Sequence, residues 1–298
     1  MSIEITNLNF SYGANHVLRD ICLTIAPAQT LSILGPNGSG KTTLLNIVAG
    51  LLKNTKGSVV YEGKLLKQLN PRKMAMLVGY VPQTILPAFD YSVIEYVVTG
   101  CAPRIGTFQK PNQGHYEKAM ESIRVMGIEH LAERSYKQIS GGQQQQVSIA
   151  RVLTQCPAYI LMDEPTAHLD YGNQLRVLKT IRQLAENGFG IVFTTHNPDH
   201  ALLLGGKSAV IDRRGCLTCG DSHELINETS LLELYGIKLR VTHMENVQRK
   251  VCFAPSLNDG GNYNGYSTGS SESPAGKEKI RPNNHSENRG HNTTRGGQ

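Results

Sequence analysis

The sequence predicts an α/β fold in which helices pack on a parallel sheet. Three observations support this prediction. Short apolar strands crowd the first 80 residues, and strands alternate with helical segments in the second half of the chain. The composition, 39% hydrophobic and 18% charged residues in a chain of 298, suffices for a sizeable core and excludes wholesale disorder.

The N-terminal part is predicted to consist of short strands separated by turns. Two strands are expected within residues 3–25, where apolar and polar residues partly alternate. One helix is expected over Lys41–Leu51. Further strands are expected over Leu31–Leu34, Ser58–Tyr61 and Leu77–Val81.

The middle of the chain, from about residue 85 to residue 157, has helical character. Its predicted helices are Val93–Thr99, His115–Met126 and Ser140–Thr154. Strands then return over Tyr159–Met162, Ile191–Thr194 and Ala209–Ile211, with a helix over Tyr171–Glu186 between the first two. The helical stretch is therefore expected to be an insertion into a sheet-containing domain.

The last segment, Asn258–Gln298, is rich in Gly, Asn and Ser and has almost no aliphatic residues. Such a composition buries too little apolar surface to offset the entropy of ordering, so we expect a disordered polar tail. The predicted domain then covers residues 1–257.

Several functional classes are disfavoured by the sequence. No apolar run approaches the roughly 20 residues that span a bilayer, and the N-terminus does not resemble a signal peptide, so a cytosolic location is expected. The net charge of +6 is dispersed, and no nucleic-acid partner is expected. Cys216 and Cys219 form one CxxC pair without a second, which favours two small residues in a late hairpin over a metal or redox site.

A glycine-rich motif of the form G-x-x-x-x-G-K-[ST] lies between a predicted strand and a predicted helix, the context that phosphate binding requires. Its glycines let backbone N–H groups turn toward phosphate oxygens, and the helix N-terminus adds partial positive charge. Lys41 supplies a mobile charge for the β- and γ-phosphates, while Thr42 and Thr43 offer hydroxyls to Mg²⁺ and the α-phosphate. The predicted nucleotide-binding residues are Gly35, Pro36, Asn37, Gly38, Ser39, Gly40, Lys41, Thr42 and Thr43.

Two acids, Asp163 and Glu164, follow the predicted strand Tyr159–Met162. In a nucleotide site the first acid holds Mg²⁺ through its water shell, and the second takes a proton from an attacking water. Acids at a solvated strand edge are common, so it is the phosphate-binding motif about 120 residues upstream that favours the catalytic interpretation.

Ser140, Gly141, Gly142 and Gln143 open a predicted helix. They form either an ordinary N-cap or a second anion site, made from the Ser140 hydroxyl, exposed N–H groups and the helix dipole. The tetrapeptide alone leaves both interpretations open.

The ordered set of a phosphate loop, S-G-G-Q, D-E-P-T and a lone His after a strand resembles the ATP-binding cassette (ABC) ATPase family. The resemblance covers about residues 1–257. It implies a P-loop NTPase ABC ATPase fold with a mixed/parallel sheet core, an N-terminal antiparallel β region and a helical subdomain inserted at about residues 84–156. It also implies an ATP hydrolase that uses ATP and Mg²⁺.

The same resemblance implies roles for further residues. Tyr12 matches the aromatic residue that stacks on adenine, and Gln83 the glutamine that senses Mg²⁺ and the attacking water. Asp170 matches the D-loop, and His196 the switch histidine that contacts the γ-phosphate. The implied catalytic residues are Glu164, His196 and Gln83, and the implied Mg²⁺ ligands are Thr42, Gln83 and Asp163.

In this family the signature that Ser140 and Gly142 match faces the γ-phosphate bound to a partner subunit, which implies a homodimer with ATP between the protomers. The sequence departs from the family here: Gln144, Gln145 and Gln146 stand where members often have Arg-Gln-Arg.

The segments Pro87–Gly100 and Leu169–Gln174 resemble those of importer ATPases for iron–siderophore complexes, haem, cobalamin and related metal-chelates or oxyanions, although Cys101 replaces a usual Arg. The resemblance implies a peripheral protein at the cytoplasmic face of the cell membrane. Its helical subdomain would contact two transmembrane permease subunits. A substrate-binding protein would deliver cargo to the permease, so the ATPase subunit would interact with that protein only indirectly. An ATPase of iron–sulfur assembly and an exporter ATPase are the alternatives.

Overall fold

A computed structural model describes residues 2–53, 56–83, 89–106 and 108–255. In these ranges the strands are β1 (Ile3–Tyr12), β2 (Asn15–Ile25), β3 (Thr30–Leu34), β4 (Lys56–Tyr61), β5 (Lys64–Leu65), β6 (Val78–Val81), β7 (Tyr159–Met162), β8 (Gly190–Thr195), β9 (Lys207–Ile211), β10 (Leu217–Asp221), β11 (Arg240–Met244) and β12 (Arg249–Phe253). The helices are α1 (Lys41–Val48), α2 (Pro71–Leu77), α3 (Val93–Val98), α4 (Gln113–Val125), α5 (Gly141–Gln155), α6 (Tyr171–Glu186), α7 (Pro198–Leu204), α8 (Ser222–Leu225) and α9 (Glu228–Tyr235). The predicted tail, residues 258–298, lies outside the described residues.

The central sheet has the order β10-β9-β3-β8-β7-β6. The four pairings from β9 to β6 are parallel, and β10 pairs antiparallel with β9. Every residue of β7 and β8 is buried, as expected for parallel strands that are covered on both faces. This sheet confirms the predicted mixed, mainly parallel core.

A separate antiparallel sheet, in the order β2-β1-β4-β5, forms the N-terminal region. Along β1 and β2, buried apolar residues alternate in part with exposed ones, because one face of the sheet packs inward and the other meets solvent. Its inner face shares a core with α1 and β3, which includes Leu18, Ile21, Ile33 and Leu44. The N-terminal antiparallel β region is therefore also confirmed.

The chain between β6 and β7 is helical wherever it forms regular structure among the described residues, as predicted for the inserted subdomain. Ala119, Ile123 and Met126, at helical spacing on α4 and at its end, are buried in a core that they share with α3 and α5. Residues 84–88, where the predicted insert begins, lie outside the described residues.

The structure differs from the sequence prediction around α2. The predicted strand Leu77–Val81 begins only at Val78, because Leu77 ends a helix, α2, that was not predicted from the sequence. The Asn70 side chain accepts the N–H of Lys73, and Pro71 occupies the first helical turn, so the start signal was present in the sequence. The helices α7 to α9 and the hairpin of β11 and β12 were likewise not predicted, since these short elements show little periodicity.

The late hairpin expected for the CxxC pair is present. Cys219 lies on β10 opposite Ala209 of β9, and the backbone N–H of Cys216 donates to the Asp212 carboxylate in the connecting turn at 2.9 Å. Among the described residues, no group of three or more His, Cys, Asp and Glu side chains is arranged to hold a metal ion. Within the same ranges, none of the helices has the length and apolar character needed to cross a membrane.

Candidate nucleotide site

Four adjacent parallel strands deliver the predicted site residues to one edge of the sheet. β3 leads into the phosphate loop, β8 is followed by His196, β7 by Asp163 and Glu164, and β6 by Gln83. Because the strands are parallel, their carboxyl ends lie at the same edge, where open α/β sheets bind ligands.

The phosphate loop depends on glycine at two close approaches. A Cβ atom on Gly35 would lie 2.6 Å from Ser39 Oγ and 2.7 Å from the Ile211 carbonyl oxygen. Gly40 has a φ of +100°, and a Cβ atom there would lie 2.9 Å from the side chain of Val17. These contacts also place the β1–β2 hairpin beside the loop.

Lys41 and Ser39 are buried in this loop. Lys41, which is 5% exposed, donates from Nζ to the carbonyl oxygens of Gly35 at 2.9 Å and Pro36 at 3.1 Å. Ser39 Oγ is buried and makes no hydrogen bond to any described residue. A buried hydroxyl without a partner is costly, so its presence in a loop of this kind fits a site that receives phosphate oxygens.

The two acids are held by one residue of β8 that the sequence analysis did not single out. Thr194 donates from its hydroxyl to Asp163 Oδ1 at 2.7 Å and accepts the backbone N–H of Glu164 at 2.8 Å. Asp163, which is 3% exposed, also donates its backbone N–H to the Val81 carbonyl. The sequence signal for Thr194 was weak: it is a polar residue at the end of the predicted strand Ile191–Thr194.

Glu164 joins two motifs that are far apart in sequence. Its Oε1 lies 3.4 Å from Lys41 Nζ, and its Oε2 lies 3.3 Å from His196 Nδ1. Its backbone φ of +43° is in the left-handed region, which is uncommon for a residue with a side chain and is found often at functional sites. The side chain is mostly buried, whereas that of His196 is 56% exposed.

The residues predicted to hold Mg²⁺ lie at the same sheet edge. Thr42 is exposed in the first turn of α1, and Gln83 is exposed two residues beyond Val81, to which Asp163 is hydrogen-bonded. Hydroxyl, amide and carboxylate oxygens are the ligand types that Mg²⁺ prefers, so the donor set fits this ion. Thr43, by contrast, is buried beneath the loop.

Tyr12 ends β1 and is 56% exposed. Its ring makes an edge-to-face contact with Phe10 at a centroid distance of 4.7 Å, which leaves a large part of the ring open to stacking.

Ser140 to Gln143 form a separate group. Ser140 caps α5 in a capping box: its N–H donates to Gln143 Oε1 at 2.9 Å, and its Oγ accepts the Gln143 N–H. A Cβ atom on Gly142 would lie 2.8 Å from the side chain of Asn173, which in turn donates to Asp170 Oδ2 at 2.7 Å. The structure thus brings the signature residues together with Asp170, and their hydrogen bonds are local.

Two of the three glutamines after the signature donate hydrogen bonds to backbone carbonyl oxygens. Gln144 donates to the Tyr136 carbonyl at 3.1 Å, and Gln146 to the Met126 carbonyl at 3.5 Å. These neutral side chains bind backbone carbonyls of the helical subdomain.

Residues 18–167 match the family described as ABC transporter. An uncharacterized ABC transporter ATP-binding protein of Haemophilus influenzae is 34% identical, over 82% of this chain and 92% of that protein. The hemin import ATP-binding protein HmuV of Bordetella avium is 35% identical over 81% and 94%, and the molybdate import protein MolC of Haemophilus influenzae is 31% identical over 80% and 89%.

Among solved structures, an inward-facing metal-chelate type ABC transporter superposes with a TM-score of 0.76 and 28% identity, over 86% of this chain and 98% of that chain. The family match over residues 18–167 contains the phosphate loop, the signature and the paired acids. The chain therefore belongs to the ATP-binding proteins of the ABC transporter family, which are ATPases.

Proposed function

We propose that this chain is the ATP-hydrolysing subunit that powers a membrane permease importing a metal-chelate substrate of the iron–siderophore, haem or cobalamin class. The observation that carries the hydrolytic part of the proposal is the contact of Glu164 with both Lys41 and His196 at the carboxyl edge of the parallel strands. The hemin import relative and the metal-chelate type structure support the substrate class, while the molybdate import relative shows how much the cargo varies among similar chains.

ATP binding is assigned to the loop and its surroundings. The backbone N–H groups of residues 35–43 and the Lys41 ammonium surround the phosphates, and Tyr12 stacks on the adenine. Thr42, Gln83 and Asp163 would hold Mg²⁺, which, when bound, neutralises charge between the β- and γ-phosphates.

Hydrolysis is assigned to Glu164, with His196 and Gln83 at its side. Glu164 orients the attacking water and accepts its proton, and His196 contacts the γ-phosphate. Thr194 holds the acids in register by its two hydrogen bonds, so that little reorganisation is needed when the substrate binds.

Two copies of the chain are proposed to close on ATP. The signature residues Ser140 and Gly141 are exposed, and Asp170 is exposed beside them, so this surface is open to the phosphates held by a second subunit. Release of the γ-phosphate removes contacts that hold the dimer closed, and the reopening drives the permease.

The permease is proposed to dock near the helical subdomain. A groove of about 890 Å³ runs between the end of α1, β4, α2, β6 and α5. Leu51, Leu52, Met74, Val78 and Pro82 give it an apolar lining that suits a short helix of a transmembrane subunit. Docking there would hold the chain at the cytoplasmic face of the membrane, and the substrate-binding protein would act on the permease alone.

The ATP-binding domain is proposed to end near residue 257. The last described strand, β12, ends at Phe253 and pairs with β11, which supports a boundary shortly after it.

The proposal is tested by affinity purification of tagged Glu164→Gln protein from detergent-solubilised membranes with ATP, read by mass spectrometry. A polytopic permease in stoichiometric yield would support it, and a co-purified binding protein would identify the cargo class. A matched sample of Lys41→Ala protein is the control for ATP dependence. Soluble partners alone would contradict the proposal in favour of iron–sulfur assembly, and an exporter-type permease would contradict import.

A further inference from the structure

Tyr235, the last residue of α9, contacts the segment that follows β8. Its hydroxyl donates a hydrogen bond of 2.8 Å to the backbone carbonyl oxygen of His196, 39 residues earlier in the chain. Gly236 ends α9 with a φ of +72°, and its N–H bonds back to the Leu232 carbonyl. The helix end therefore places the phenol directly against the histidine backbone.

Arg249 on β12 contacts the same segment three residues further along. Its Nη1 and Nη2 donate to the two carboxylate oxygens of Asp199 at 2.8 and 3.0 Å. The backbone N–H of Cys252 donates to Asp199 Oδ1 at 3.2 Å. A bidentate guanidinium–carboxylate contact fixes the relative orientation of the two groups as well as their distance. Arg249 on β12 therefore holds the first turn of α7 in place.

Both contacts rest on one apolar cluster. Leu34, Leu202, Leu231 and Leu234 are buried in it, and Tyr235 packs against it. Leu34 is the last residue of β3, directly before the phosphate loop. The C-terminal elements thus pack against the same apolar cluster as the end of β3, which leads into the loop that is proposed to bind phosphate.

The contacted part of the chain, residues 195–199, is called the switch segment below. Inside it, the Asn197 N–H donates to Thr195 Oγ1 at 3.0 Å, and the Asp199 N–H donates to the Asn197 side chain at 3.0 Å. The ring of His196 is 56% exposed, so packing does little to fix it. Its direction toward Glu164 therefore depends on the backbone, which Tyr235 and Arg249 hold at either end.

We propose that Tyr235 and Arg249 are positioning residues that aim His196 at the reacting phosphate. The inference rests on the function proposed for His196 above. Neither residue touches the nucleotide in this proposal. Their effect arises because a shift of about 1 Å in a positioned group is enough to slow a reaction substantially.

The surroundings of Tyr235 favour the protonated form of its hydroxyl, which can donate a hydrogen bond. Burial raises the pKa of Tyr235 well above its usual value, and the negative charge of Glu164 raises it further. Both effects favour the protonated phenol, the form that donates to the His196 carbonyl.

Tyr235→Phe is the first test, because it keeps the ring in its cluster and removes only the donor. We expect kcat for ATP to fall about fivefold, the size of one lost hydrogen bond, with the KM for ATP unchanged. Tyr116→Phe, on α4 of the helical subdomain, is the matched control and should leave kcat unchanged. A wild-type kcat for Tyr235→Phe would overturn the inference, whereas a melting temperature that falls with no change in kcat would assign Tyr235 to stability alone.

A double-mutant cycle separates positioning from general damage. Residues that act through one group are non-additive, so Tyr235→Phe should add no loss in a His196→Ala background. Arg249→Lys keeps the charge but not the fork, and it should behave in the same way with a smaller loss. Equal fold losses in both backgrounds would contradict the inference. Full activity of His196→Ala would instead contradict the role of His196 in the proposed function.

A spectroscopic readout keeps the test decisive where His196→Ala is too slow to measure. In protein with labelled histidine rings, the signal that His196→Ala removes is assigned to His196 among the 10 histidines. Tyr235→Phe and Arg249→Lys should shift or broaden this signal and leave that of His115, on α4, in place. An unchanged His196 signal would overturn the inference.

Discussion

The phosphate-loop half of the proposed ATP site and its signature half are built in different ways. In the first, residues on or after three strands contact one another: Glu164 lies against Lys41 and His196, and Thr194 joins it to Asp163. In the second, the side chains of Ser140 and Gln143 each accept the other residue's backbone N–H within one helix turn. The difference shows that the fold assembles the first half, whereas the second half is an exposed surface that, in the proposed function, faces the ATP of a second subunit.

The strongest test of this comparison is Glu164→Gln. We expect turnover to fall roughly 10²- to 10⁴-fold, as for loss of a general base, with ATP still bound. The amide keeps the shape of the side chain but cannot accept a proton from water. ATPase assays, nucleotide binding and gel filtration with ATP check the result, and a trapped dimer is expected. Glu186→Gln, at the end of α6, is the control, and normal hydrolysis by Glu164→Gln would refute the assignment.

Lys41→Ala tests the same half through binding. Because the ammonium is buried beside the loop carbonyls, its loss should weaken ATP affinity about 100-fold, the scale of hydrogen bonds to charged groups. Titration with a fluorescent ATP analogue measures this affinity, with Lys179→Ala on α6 as the control. Unchanged affinity would contradict the phosphate-loop interpretation.

Ser140→Ala tests the signature half and should give the opposite pattern. We expect turnover to fall about tenfold from loss of one hydroxyl donor to a charged phosphate, while the affinity of the isolated subunit for ATP is unchanged. The lost N-cap should also destabilise the chain by about 1 kcal/mol. Turnover, ATP affinity and thermal unfolding are measured together. A large loss of affinity in the monomer would show that the two halves are not separate.

The smallest expected effect is a pH dependence of the free energy of unfolding, which arises from a histidine in the phosphate-loop half. Burial lowers the pKa of His200 on α7, against a smaller upward effect of Asp199, and its Nδ1 lies 3.3 Å from Thr166 Oγ1, just after the paired acids. His200 therefore binds a proton more readily in the unfolded chain than in the folded one. The free energy of unfolding should fall as the pH drops below about 6.5, the ordinary pKa of histidine.

Thermal unfolding between about pH 7.5 and 5 measures this dependence. A His200→Gln variant should lose that part of the pH dependence, whereas His130→Gln, in the helical subdomain, should keep it. Equal slopes for His200→Gln and the unsubstituted protein would contradict a buried neutral histidine.

Much of the fold and of the proposed site was predictable from sequence, for local reasons. The phosphate loop, the paired acids and His196 each follow an apolar strand, and parallel strands bring their carboxyl ends together. Thr194 was less visible, because a threonine in a strand is ordinary. Tyr235 and Arg249 could not be found, since their partners lie 39 and 50 residues away and no motif links them. The roles assigned to these residues stay predictions.

The hydroxyl of Thr194 has a consequence for the evolution of this site. It donates to Asp163 and accepts from the Glu164 backbone, so its proton direction is fixed by its neighbours. Serine could reproduce both bonds, but valine, although equal in shape, would leave a buried carboxylate and a buried N–H without partners. In a library of variants selected for growth, we therefore expect only threonine and serine at position 194. The position would then tolerate as few residue types as the acids that Thr194 contacts.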